Sequence, residues 1–88
     1  MFINKARDGC NNVCGKLVAK YRKQLSPKVS QKKLADMLQL EGLDVEKHAI
    51  RRIENGTRFV TDIELVILAR VLNVEIYDLI DYENLPRK

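Results

Sequence analysis

The chain has no tryptophan, two prolines, four glycines and two cysteines among its 88 residues. Cys10 and Cys14 stand four apart with no second pair. Two thiolates cannot close a four-ligand zinc site, and the single histidine, His48, lies far from them in sequence. They read as two reduced thiols, with an intermolecular disulfide as the alternative. No metal and no cofactor is expected. No apolar run approaches the roughly 20 residues a membrane-spanning helix needs. The start, "MFINKARDGCNN", lacks the hydrophobic region of a signal peptide. A soluble cytoplasmic protein with no membrane association is therefore expected. Strand-like alternation is missing, and so are an acid–base dyad, a Ser/His/Asp set and a glycine-rich phosphate loop. These absences speak against a sheet and against an enzyme.

Acids are scarce where bases abound. Residues 1–33 carry nine Lys/Arg against Asp8 alone, whereas residues 59–86 carry six acids against Arg70 alone. One end attracts a polyanion and the other repels it. That polarity fits a face laid on nucleic acid or on an anionic membrane, or a solvated gradient with no partner. A membrane helix would need the apolar side of the first helix exposed, and a core has first use for it.

What is present is helical periodicity over a single domain. Val13, Leu17, Tyr21 and Leu25 form a stripe at four-residue spacing, with Val18 beside them and Asn11 or Asn12 as cap, until Ser26-Pro27 breaks the helix. Ser30 caps a second helix with Leu34, Met37 and Leu38 inward, stopped at Gly42. Asp44 is positioned to cap a third, Val45 to Glu54, closed by Asn55-Gly56. Thr61-Asp62 opens a fourth with two apolar faces: Leu65, Leu68, Ala69, Leu72 and Ile63, Ile67, Val71. A short fifth runs from Ile76 to Asp81. The expectation is an all-α, compact five-helix domain over residues 11–83, with 1–10 and 84–88 loosely held.

The third helix, within "VEKHAIRRIENGTR", turns Ile50 and Ile53 inward and leaves Lys47, Arg51 and His48, Arg52 as adjacent rows on its other side. Arginine is the side chain best matched to guanine N7 and O6 in a major groove, and flanking cations neutralise phosphates. Charge alone leaves a solvated basic face equally open.

The order of parts adds a resemblance. "YRKQL…VSQKKLADML", "IRRIENGTR" and "IELVILARVLNVEIYDLI" together resemble the phage-repressor and Cro-like helix-turn-helix family, also called the xenobiotic-response-element family. The likeness runs from about Val13 to Ile80. It implies a third helix in the major groove of double-stranded DNA, as a homodimer on two half-sites. By position it implies that Lys47, His48 and Arg52 read bases. Gln31 would brace the backbone and the recognition helix, and Glu46 would accept from cytosine N4 or complement the helix dipole. Arg51 would lie beside these, and Asn55, Gly56, Thr57 and Arg58 would form a phosphate-facing loop. Arg22 and Glu54 would make a buried, fold-holding ion pair. One departure is that Ala35 and Ile50 lie fifteen apart where relatives have ten, so the second helix, the turn, or both must be longer. Phe59 is expected to pack in the core rather than stack on a base.

Ile63, Ile67, Val71, Tyr77 and Ile80 exceed what one side of a small core requires. They supply either a dimer or partner surface or a fourth helix buried on both faces. The reading is a small repressor occupying an operator. One alternative is the antitoxin of a toxin–antitoxin pair, its apolar C-terminal surface holding the toxin. Another is a protein-interaction module that has lost DNA binding, although Lys47, Arg51 and Arg52 have kept their charge.

Overall fold

The computed structural model describes residues 4–86, and expectations for residues 1–3 and 87–88 lie outside that range. The described residues are all-helical, with four α-helices, two short 3-10 turns and no strand. The α-helices are α1 (Gly15–Gln24), α2 (Gln31–Leu40), α3 (Lys47–Glu54) and α4 (Asp62–Leu72). Helix α3 packs against α1 and α2, and α4 closes the other side against the same two helices. Their shared core holds Val18, Leu34, Leu38, Ile50, Ile53, Leu68 and Leu79, all fully buried. Burial of each such side chain contributes about 1.5–3 kcal/mol.

Caps set the boundaries. Ser30 accepts from Lys33 N–H at the start of α2. Thr61 and Glu64 form a reciprocal capping box at the start of α4. Three helix ends share one device, a left-handed residue followed by an N–H that reaches back five positions. Leu43 N–H donates to Leu38 O beyond Gly42 (φ +94°), and Thr57 N–H to Arg52 O beyond Gly56 (φ +85°). Val74 N–H donates to Ala69 O beyond Asn73 (φ 59°).

Several expectations for the helices and their packing need correction. First, α1 begins at Gly15, and its deepest line is Cys14, Val18 and Arg22 rather than Val13, Leu17, Tyr21 and Leu25, which are half-buried. The helix is rolled because Gly15 lets it approach the end of α3 closely. Second, Asp44 caps nothing: α3 starts two residues later than expected, with Glu46 in the N-cap position. Third, the fifth helix is only a 3-10 turn, Ile76–Leu79. Ile80 is extended and redirects the chain so that Asp81 N–H donates to Val13 O. Fourth, Phe59 is 52% exposed.

The segment before α1 is tied down rather than loose. Ala6 is buried, Arg7 N–H donates to Asn84 O at 2.8 Å, and Asp8 N–H donates to Asn84 Oδ1 at 3.0 Å. No described helix is long and apolar enough to cross a membrane.

Candidate nucleic-acid interface

At about 100° per residue, the buried Ala49, Ile50 and Ile53 define the inner side of α3. Lys47, Arg51, Asn55, His48 and Arg52 then follow one another across the outer side, and all five are exposed. Among the described residues, no carboxylate lies within ion-pair distance of Lys47, Arg51 or Arg52. The outer strip is therefore a field of uncompensated donors about two turns tall. Glu46 sits at its foot, exposed, with its side chain making no cap bond.

The strip is held from behind by one carboxylate. Glu54 Oε2 accepts from Arg22 Nε at 2.7 Å, and Oε1 accepts from Arg22 Nη2 at 3.0 Å and Gln31 Nε2 at 2.9 Å. Arg22 Nη1 donates to Val29 O at 3.0 Å, which adds the loop before α2 to the same knot. Gln31 thus braces α3 through Glu54. The hydrogen bonds that Arg22 donates to the Glu54 carboxylate raise its pKa above the ordinary value, against the opposing effect of burial.

The front of α3 is approached by a folded connection rather than a tight turn. Residues 41–46 separate α2 from α3. Val45 is buried, Leu43 half-buried, and Gln39 Nε2 donates to Val45 O at 2.7 Å. The connection is pinned at both ends, by Leu43 N–H to Leu38 O and by Gln39 to Val45 O. Its outer side carries Glu41 and Asp44, both exposed.

The loop after α3 is built differently from expectation. Thr57 Oγ1 donates to Asn55 Oδ1 at 2.7 Å, which fixes that turn. Arg58, expected to grip phosphate, is instead committed to Glu64 through two bonds of 2.8 and 3.0 Å. Its charge is neutralised where it stands. The loop folds back over the start of α4, where Glu64 also accepts from Thr61 N–H. Hydrogen bonds from Arg58 hold the Glu64 carboxyl below its ordinary value, and burial only partly opposes them. A depressed carboxyl pKa contributes stability above the unfolded value near 4.5 and loses it as pH falls through the folded value. Urea midpoints should accordingly hold steady from pH 7 to pH 5 as far as this pair is concerned, then fall. Glu64→Gln should cost about 2 kcal/mol at neutral pH and make the acid-side decline shallower. A decline equally steep in both proteins would contradict the assignment.

Two residues behind the strip do more than the sequence suggests: Asn12 is expected only as a cap of the first helix, and nothing is expected of Gly15. Asn12 Nδ2 donates to Ile53 O (3.1 Å) and Arg58 O (2.8 Å), while its Oδ1 accepts from Cys14 and Gly15 N–H. One amide thereby caps α1 and ties off the end of α3. Gly15 is the other: an added Cβ would lie well inside contact distance of the Ile53 carbonyl oxygen. A glycine among apolar helix positions was the available signal.

The remaining candidates spread out. Ile63 (66%) and Tyr77 (63%) are exposed, whereas Ile67, Val71 and Ile80 are half-buried. Burial pushes the Cys14 thiol up to about 11, and a hydrogen bond with Asp8 raises that of Cys10. Neither thiol is activated at neutral pH. The described residues hold no cluster of His, Cys, Asp and Glu suited to a metal ion. Comparison with protein-family models, with curated proteins and with solved structures finds no match to this chain.

Proposed function

We propose that the chain is a sequence-specific double-stranded-DNA-binding regulator of the phage-repressor helix-turn-helix type, occupying an operator as a homodimer. One observation carries the reading. Helix α3 presents Lys47, His48, Arg51 and Arg52 outward without a neutralising acid among the described residues, and Glu54 fixes its far side to α1 and α2. In this reading α2, the pinned connection and α3 are the helix-turn-helix, with α3 in the major groove. Lys47, His48 and Arg52 meet base edges, and Arg51 and the turn at Asn55 to Thr57 meet phosphates. The contribution of Arg58 is to hold that turn in place, since Glu64 already neutralises it.

Selection from a random duplex pool, followed by anisotropy titration across salt, tests this. The winning sequence should bind at least about 10³-fold tighter than scrambled DNA, with a steep salt dependence. Arg52→Ala should cost about 1–3 kcal/mol and relax the preference at one base pair. Arg51→Ala should weaken all sequences alike and flatten the salt slope. Equal, weak binding of winner and scramble would overturn the reading.

A further inference from the structure

The outer face of α4 is an exposed apolar feature that DNA binding leaves unused. Asp62, Ile63, Val66 and Arg70 fall within about 100° of one another around the helix and are all exposed, with Ile67 half-buried at their margin. Ile63 and Val66 are 66% and 42% exposed, a high cost in water for β-branched side chains on a small domain. The face is charged oppositely at its two ends, Asp62 in the first turn and Arg70 in the last. Asp62 has no cationic partner among the described residues, and Arg70 meets Glu41 only at 3.4 Å in an exposed pair. Beyond Arg70 lies an apolar groove of about 350 Å³ lined by Met37, Leu40, Glu41, Arg70 and Val71. Leu40 stands 86% exposed on its wall. Beyond Asp62, at the opposite end, stands the exposed Phe59.

This arrangement reads the same from either end. A two-fold axis perpendicular to α4 at Val66 exchanges position 62 with position 70, acid with base. It also brings the aromatic at one end to the groove at the other. Self-complementarity under such an axis is what a symmetric dimer requires.

We propose that α4 packs antiparallel against α4 of a second copy of this chain about a dyad at Val66. Asp62 of each copy pairs with Arg70 of the other, and each Phe59 enters the other's groove. The inference deepens the homodimeric reading above and rests on it for its use on DNA, although the surface itself is argued without DNA. A three-turn helix alone covers less than the roughly 800 Å² per partner of a standard interface. The two Phe59 insertions extend it.

Sedimentation equilibrium of the full chain without DNA is the test. The wild type should dimerise with a Kd on the order of 10 µM. Phe59→Ala and Arg70→Glu should each weaken that at least about tenfold, with circular dichroism unchanged. The double variant Asp62→Lys with Arg70→Glu should return to within about threefold of wild type, because the exchanged charges again face each other across the dyad. In a Cys10→Ser background, Val66→Cys should form an intermolecular disulfide under mild oxidation, and Lys20→Cys should not. A strictly monomeric wild type overturns the proposal and leaves the face to a different protein. A folded Arg70→Glu variant that dimerises undiminished, or a charge exchange that fails to restore dimerisation, overturns it as well. The two readings fail separately. A dimer through this face that binds selected and scrambled DNA alike sinks the operator reading, and a monomer that binds a selected site tightly sinks the α4 interface.

Discussion

Replacing Glu54 with alanine is expected to cost about 3–5 kcal/mol, the usual penalty for stripping one partner from a buried ion pair. The Arg22 side chain is 11% exposed, so its guanidinium could not regain water where it lies. Three donors on two residues would lose their acceptor at once, and Gln31 would lose its hold on α3. Small domains have only about 5–15 kcal/mol in total, and each kcal/mol moves the melting temperature by about 4–8 °C at this size. A fall of some tens of degrees follows, readable by circular dichroism. Replacing both partners with apolar residues, Arg22→Met and Glu54→Leu, should recover most of the loss, since no unpaired charge is left behind. Should the single variant melt within a few degrees of wild type, the knot behind α3 is not what holds that helix.

Gly15→Ala is expected to be the next most damaging change, although alanine is the better helix former. The added methyl would press on the Ile53 carbonyl oxygen, with Ile53 C at 3.1 Å and Asn12 Oδ1 at 3.0 Å. The obstruction is backbone, already held by Asn12, so no rotamer change relieves it. Overpacking of this kind costs about 1–3 kcal/mol, more than the propensity gain at the first residue of a helix. Relief requires α1 and α3 to part, which reorients the basic strip. Stability by urea denaturation should fall, and affinity for the duplex chosen by the selection proposed above should fall further than the population of folded protein explains. If affinity tracks the folded fraction alone, the close crossing sets stability but not the aim of α3.

Features that depend on neighbouring residues were legible in the sequence. Ser30, the Gly42 and Asn55-Gly56 stops, and the inward Leu34, Leu38, Ile50 and Ile53 all follow from local chemistry and a 3.6-residue period. Features that depend on how segments meet were not. The roll of α1 is decided by the clearance at Gly15, which no periodicity reports. Arg58 looked free because its partner Glu64 comes alongside only when the loop folds back over α4. Arg22 and Glu54, 32 residues apart, could be named together only through the family resemblance. The last predicted helix had apolar residues enough but too few positions before Ile80 turned extended.

The carbonyls at the exit of α3 find their partners in residues that precede α1. Asn11 N–H donates to Gly56 O at 2.7 Å, Asn11 Nδ2 to Thr57 O at 2.9 Å, and Asn12 Nδ2 to Ile53 O and Arg58 O. The basic helix is therefore not a portable cassette. A graft carrying only α2, its connection and α3 would leave behind both the Arg22 that meets Glu54 and the two asparagines that finish the helix. The smallest transferable unit begins near Cys10 and includes α1, so the segment most easily trimmed as a tail belongs to the device that aims the strip.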